Sequence, residues 1–405
     1  MRDSGIEWIG MIPDNWELTT YRRVFNRRKE YDDKDKQVLS LTIQGVKEKN
    51  DSYGKMAEDF TGHQIVRKND LVFTPRDFDA TPILSGIAPC DGCISNLYFV
   101  LYPHDIQNTY IPFYNYFMWG VKWGGDIWRK LSYGMRFSYN FQQFGMLPTV
   151  IPPMAEQKRI ADFLDDKCSK IDRYIEKQQQ IIEKLKDYKQ AVITEAVSTK
   201  DGWNHCHLGY LAQFKNGLNY NGLSEDKEIK FLGVGDFQHY FTLNSINMFS
   251  TLKFDGNMPD DLLLKNGDIV FVRSNGSKEL VGRSIIIDNI DFPLTYSGFC
   301  IRMRNCREDV VFNEFLMYCF WSDDFRQRLN RDSRGSNINN LNQELLSKLT
   351  ISFPEICEQK RIVQLLHSQC IKIESVINQT QSLIDKIVEY KKSLIYEAVT
   401  GKLEV

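Results

Sequence analysis

No stretch of this chain reaches the ~18 consecutive apolar residues that carry a helix across a bilayer, and its first ten residues lack the basic-then-apolar pattern of an export signal. A cytoplasmic protein with no membrane partner is expected. An excess of positive charge is also missing: 51 Lys and Arg face 53 Asp and Glu, for a net charge of −2, so no global basic footprint advertises nucleic acid. Histidine is scarce at six, and only His205 and His207 lie close together, so nucleophile–base arrangements cannot be assembled from sequence.

Nucleotide and methyl-transfer loops are incomplete. Gly233-Val234-Gly235 lacks the third glycine of a dinucleotide loop, and Gly217 to Gly222 runs into Leu223-Ser224 where a phosphate loop needs Lys-Ser/Thr. Ile151-Pro152-Pro153-Met154 lacks the polar and aromatic members of an adenine-methylating site. Glu156-x-Lys158 and Glu358-x-Lys360 have a spacing seen in metal-dependent nucleases, but each follows proline at a helix start, the usual place for acids at the positive end of a helix dipole. The nine cysteines, an odd number, read as reduced thiols. Cys90-x-x-Cys93 is one pair where a zinc site wants two.

What the chain does have is a repeat. Residues 152–200 and 354–402 align without a gap at 21 of 49 identical positions, including Glu156-Gln157-Lys158-Arg159-Ile160 against Glu358-Gln359-Lys360-Arg361-Ile362. The segments ahead of each copy show no such identity. A constant element has been duplicated while a variable element has diverged, which implies two different recognition heads on a shared frame.

The constant element has the spacing of a coiled-coil arm. Leu164, Cys168, Ile171, Ile175, Gln178, Ile182, Leu185, Lys189, Val192 and Ala196 alternate by four and three, and residues 366–398 repeat the pattern. Such a stripe is buried only against another helix. Because a whole head separates the copies, an antiparallel intramolecular pair is expected, with pairing between different chains as the alternative. Lys189 and Lys391 place a polar layer in each seam, which fixes register. The first arm is expected to run into the second head near residues 196–200, past the end of the paired seam.

The heads read as mixed α/β, with strands near 38–43, 71–73 and 97–101 in the first and 231–234, 269–272, 284–287 and 299–303 in the second. Lys68-Asn69-Asp70 corresponds to Lys265-Asn266-Gly267-Asp268, a turn feeding a buried strand. The aromatic stretches 110–128 and 312–321 resemble base-stacking platforms, but their helical spacing favours core. The basic run Arg22, Arg23, Arg27, Arg28 and Lys29 is either a solvated helix face or a local nucleic-acid patch.

Taken together these residues resemble the specificity subunit of type I restriction–modification systems. The carriers are Ser4-Gly5-Ile6-Glu7-Trp8-Ile9-Gly10 with Ile12-Pro13 and Trp16-Glu17, the doubled Pro/Glu-Gln/Ile arm starts, Asp268 to Arg273, and Gly335-Ser336-Asn337-Ile338. The second half lacks the Ser4–Gly10 element and begins at Gly202-Trp203, which leaves the equivalence of the two N-terminal edges open. Gly134-Met135-Arg136 stands where the second half has Gly335-Ser336-Asn337, so the two loops are not expected to read DNA alike.

The resemblance implies an α+β fold of two mixed α/β target-recognition domains joined by two long antiparallel coiled-coil helices with pseudo-twofold symmetry. The expected divisions are 1–151, 152–200, 201–353 and 354–405. It implies a non-catalytic subunit reading a bipartite, asymmetric duplex DNA target, with defence against foreign DNA as the setting. Two adenine-N6 methyltransferase subunits and the restriction (motor/nuclease) subunits are the expected partners. No cofactor is expected in this chain; S-adenosylmethionine, ATP and Mg belong to the partners.

Base readout needs Arg, Lys, Asn, Gln or Ser at groove edges, and phosphate anchoring needs Arg, Lys or backbone donors. The candidate DNA-binding residues are Arg76, Tyr133, Arg136 and Asn140 in the first head, and Arg273, Asn275, Lys278, Arg334, Asn337 and Asn339 in the second. A coiled-coil scaffold and a stand-alone DNA-modifying enzyme remain as alternatives.

Overall fold

A computed structural model describes residues 1–31, 37–49, 62–76, 83–124, 127–131, 138–219, 227–237, 242–243, 249–254, 258–274, 280–332 and 341–405. The chain divides into two compact units, Met1–Gln179 with Gln381–Val405, and Gln180–Thr380.

The first head is built from β1 (Glu17–Thr20), β2 (Phe25–Arg27), β3 (Leu71–Phe73), β4 (Ser85–Ile87), β5 (Phe99–Pro103), α1 (Ile111–Trp123), α2 (Phe141–Met146) and β6 (Pro148–Ile151), and leads into the long helix α3 (Met154–Val197). The second head is built from β7 (Asn204–His207), β8 (Ala212–Asn216), β9 (Ile269–Val272), β10 (Ser284–Ile287), β11 (Cys300–Asn305), α4 (Asn313–Trp321), α5 (Gln343–Lys348) and β12 (Thr350–Phe353). It leads into α6 (Ile356–Val399).

In the first unit a four-stranded antiparallel sheet runs in the order β2-β5-β3-β4, and β6 pairs antiparallel with β1. In the second unit β8-β11-β9-β10 repeats that order, and β12 pairs antiparallel with β7. The second sheet adds Thr242–Leu243 beside β10, and a separate three-stranded sheet joins Lys227–Leu232, Ser250–Phe254 and Leu294–Tyr296. One topology has therefore been used twice. The N-terminal edges correspond after all: Trp16 leads into β1 as Trp203 leads into β7, although only the first unit carries residues 4–10 ahead of it.

Sequence pattern explains the cores. The central strands β3 and β9 are short apolar runs buried at every position, as such runs demand. On α1, Phe113, Tyr114, Phe117, Met118 and Val121 recur at three- and four-residue steps and pack with Trp16, Tyr21, Phe25, Phe73, Trp128 and Phe144. Phe315, Leu316 and Phe320 on α4 do the same in the second head. Trp119 and Trp321 each donate their indole N–H to the neighbouring sheet, to Ser85 O at 3.2 Å and Ser284 O at 2.9 Å. Much of both aromatic stretches is thus core.

The two arms are continuous helices of 44 residues, each starting just after proline with a glutamate in its first turn. Gly401, at φ +72°, follows the end of α6, where the left-handed conformation needs glycine. Every expected seam position in both arms is buried or half-buried. In the first unit, Ile160, Ala161, Leu164 and Cys168 of α3 share a core with Leu394, Ile395, Ala398 and Val399 of α6. In the second, Ile193 and Val197 of α3 share a core with Ile362, Val363, Leu366 and Cys370 of α6. Early turns of one helix meet late turns of the other, so the pair is antiparallel and intramolecular. The polar layers are ion-paired across the helices: Lys391 Nζ lies 2.6 Å from Asp172 Oδ1, and Lys189 pairs with Glu374.

The end of α3 runs into the second head: Ile193 and Val197 belong to that head's core, and Thr199 donates to Ser352 Oγ at 3.0 Å. Among the described residues no helix is long and apolar enough to cross a membrane. All nine cysteines are free thiols, and Cys168 and Cys370 sit buried in the seam as packing residues.

Candidate nucleic-acid interface

In the first head, β3 ends at Phe73 and the chain continues through Thr74-Pro75-Arg76. The Tyr139 N–H donates to Pro75 O at 2.8 Å, which ties this strand end to the segment just ahead of α2. An aromatic floor fixes both sides of the tie. Phe73 lies 5.0 Å from the Phe144 ring and 5.0 Å from Trp128, and the Tyr139 hydroxyl donates to Trp128 O at 2.6 Å. Asn140 then caps α2: its Oδ1 accepts from the Gln143 N–H at 2.8 Å, while Gln143 Oε1 accepts from the Asn140 N–H at 2.9 Å.

The second head builds the same edge. β9 ends at Val272, and the Leu341 N–H donates to Arg273 O at 2.8 Å. Asn342 caps α5 by accepting from the Leu345 N–H at 2.7 Å. Each head therefore gathers, at one end of its central strand, the base of the loop that follows the strand and the base of the loop that precedes the short capped helix. Those two loops hold nearly all of the candidate residues.

Three candidates lie among the described residues. Arg76 is half-buried just past the strand end, and the Thr74 hydroxyl donates to its carbonyl at 3.3 Å. Asn140 has its side-chain oxygen committed to the helix cap. Arg273 is half-buried, its N–H donates to Phe299 O at 2.7 Å, and its Nε is buried without a hydrogen-bond partner among the described residues. Tyr133, Arg136, Asn275, Lys278, Arg334, Asn337 and Asn339 lie outside the described residues.

The basic run is split by the fold. Arg22, Arg23 and Lys29 are exposed. Arg28 is buried in a bidentate pair with Asp70, Nε to Oδ2 at 2.8 Å and Nη2 to Oδ1 at 3.1 Å, and its hydrogen bond to Asp70 holds the guanidinium pKa above its ordinary value. Asp70 also accepts from the Arg67 N–H at 2.9 Å, closing the turn in which Asn69 takes φ +71°. In the second head Asp268 closes the matching turn on the Lys265 N–H at 2.7 Å and pairs with Arg304, with Gly267 at φ +88°. Arg27 lies over the Phe99 and Phe141 rings; it was not among the sequence candidates, and its place in the basic run was the only signal.

Each head is also clamped to its arm by a glutamine that sequence reading did not single out as functional. Gln157 is fully buried; its amide donates to Asn108 O at 2.9 Å and Pro152 O at 2.8 Å, and its Oε1 accepts from the Tyr110 N–H at 2.8 Å. Gln359 donates to Val310 O and Pro354 O and accepts from the Phe312 N–H at the same three distances. All six backbone groups are satisfied by two side chains, which explains the glutamine shared by both copies. Among the described residues no group of three or more His, Cys, Asp and Glu converges to hold a metal.

Known proteins share both the sequence and the architecture. Residues 200–383 match the family described as type I restriction modification DNA specificity domain. The chain is 28% identical over 276 residues to the type I restriction enzyme StySPI specificity subunit of Salmonella potsdam, covering 64% of this chain and 58% of that one. It is 24% identical over 212 residues to the EcoKI specificity subunit of Escherichia coli K12, covering 50% and 44%. The matched stretches thus span only about half the length of these relatives. Among solved structures, one concerned with complex assembly and conformational transition of the type I R-M system superposes with a TM-score of 0.74 at 13% identity, covering 97% of this chain and 100% of that one. The HsdS subunit of Thermoanaerobacter tengcongensis gives 0.51 at 14% identity, covering 97% and 98%. The second half of the chain thus matches the type I restriction modification DNA specificity domain, and the fold, built twice on one plan, is similar to that of solved type I specificity subunits.

Proposed function

We propose that this chain is the DNA-reading subunit of a type I complex, in which each head reads one half of a split, asymmetric duplex target. The observation that carries this is the edge built twice by the same ties, Tyr139 to Pro75 and Leu341 to Arg273, with different loop sequences mounted on it. A recognition surface needs a rigid base and variable tips. Arg76, Arg136, Arg273, Arg334 and Lys278 offer charge for phosphates, and Asn275, Asn337 and Asn339 offer amides for base edges. The paired arms act as the spacer between half-sites.

The chemistry resides in partners. Two adenine-N6 methyltransferase subunits carrying S-adenosylmethionine dock beside heads and arms, and motor/nuclease subunits using ATP and Mg complete the restricting form. The test is direct. Labelled S-adenosylmethionine and duplex DNA are expected to show no transfer with the chain alone and robust transfer once the methyltransferase is added. Transfer by the isolated chain would support a stand-alone enzyme, and tight binding to protein partners without DNA binding would support a scaffold.

A further inference from the structure

Arg27 is a cation held in place with no ion-pair partner among the described residues. Its guanidinium carbon lies 4.6 Å from the centroid of the Phe99 ring and 5.7 Å from that of Phe141, and those rings meet edge to face at 5.5 Å. Its Nε is buried with no hydrogen-bond partner, and no carboxylate pairs with it among the described residues. The contrast with its neighbour Arg28, which takes both Asp70 and Glu30, is sharp. Burial pushes the Arg27 pKa below its ordinary value, which marks a charge incompletely compensated in the free protein.

The position is as informative as the isolation. Phe99 sits opposite Phe73 at the end of β3, and Phe141 is the first residue of α2, directly after Asn140. Arg27 ends the marginal strand β2 opposite Leu101, and its guanidinium reaches over Phe99 toward the strand end where Tyr139 is tied to Pro75. Two aromatic faces remove most of the side chain's freedom, so its planar fork is pre-organised. A half-buried, unpaired, immobilised guanidinium is suited to an anion whose charge offsets the cost of burial. Base edges carry no such charge.

We infer that Arg27 anchors a DNA phosphate for the first head, an assignment that rests on the DNA-reading function proposed above. It would set the register in which the adjacent loops meet the bases, and it would act alike on every sequence.

The full chain assembled with its methyltransferase is titrated with duplexes that contain or lack the methylated target, across a series of salt concentrations. Arg27→Ala is expected to weaken both duplexes by the same factor and to lower the salt slope by about 0.9, the value of one phosphate contact. Arg27→Lys, which keeps the charge, is expected to retain the wild-type slope. Arg27→Met keeps an apolar stem on the rings; if Ala unfolds the head, Met with native circular dichroism is expected to show the same loss. Unchanged affinity and slope in folded Ala or Met variants, with the wild type binding normally, overturns the inference alone. Relaxed preference at one base pair with an unchanged slope overturns the phosphate assignment. A wild-type complex with no salt-dependent DNA binding overturns the underlying reading and this inference with it.

Discussion

The side-chain oxygen of Gln157 accepts the Tyr110 N–H at 2.8 Å, and 202 residues later Gln359 does the same for Phe312. Each bond joins the first turn of an arm to the start of a head helix, and neither glutamine is accessible to solvent. A duplicated frame that holds divergent heads needs a joint indifferent to head sequence, and backbone groups provide one.

Gln157→Leu is expected to leave one buried N–H and two carbonyls without their partner, at about 1–3 kcal/mol for each group left unsatisfied. Gln359→Leu should cost a similar amount. The two sites share no partner, so the double variant should lose the sum of the single losses within about 0.5 kcal/mol. Urea unfolding followed by circular dichroism measures all three.

Asp70→Asn is expected to destabilise the first head by about 3–5 kcal/mol, since it strips a buried guanidinium of its bidentate carboxylate. Arg307 and Asp309, an exposed pair, should give a coupling of no more than about 1 kcal/mol in a double-mutant cycle. Equal costs for the two pairs would show that burial of Arg28 is not what matters.

Burial pushes the Cys168 thiol up to about 11 and the Cys300 thiol up to about 12. Folded thiols thus stay protonated where unfolded ones ionise, near ~8.5. Their contribution to stability is fully present below that pH and is lost as pH rises through the folded values. In the native protein at pH 8, an alkylating reagent is expected to label the exposed Cys306 and Cys357 first and to reach Cys168 and Cys300 only on unfolding. Mass spectrometry of the labelled peptides checks the order.

How much of this was legible beforehand follows from where each signal resides. The arms were readable because a seam of period 3.5 over 44 residues has no other use, and the strands at 71–73 and 269–272 because a continuous apolar run between turns must be buried. Strands β1 and β6 were not, since Glu17-Leu18-Thr19-Thr20 has no strong alternation and finds its partner more than 100 residues away. The candidate edge was half legible. Glycines and charges marked the loops, but the carbonyls of Pro75 and Arg273 that gather them are backbone groups with no sequence signature. Arg27 was hidden for a related reason: its meaning comes from two rings 72 and 114 positions away.

The spacer role of the arms is open to a geometric test. Four residues added near 196–200 would break the packing of Ile193 and Val197, so the insertion belongs in both helices at once, after Gln178 and after Thr380. At ~1.5 Å per residue this adds ~6 Å and only ~40° of rotation, close to two base pairs of ~3.4 Å each. Unaltered half-sequences with a spacer longer by one or two base pairs are expected; an unchanged spacer would mean the arms do not set it.

Independent reading of two half-sites by the two heads is open to methylome sequencing of cells that carry the methyltransferase with either the wild-type chain or a variant whose residues 333–340 are replaced by another sequence of equal length. A split, asymmetric adenine-methylated motif is expected for the wild type, and for the variant a change or loss of specificity in one half while the other half and the spacer persist. A contiguous or palindromic wild-type motif, or a loop exchange that alters both halves, would contradict it.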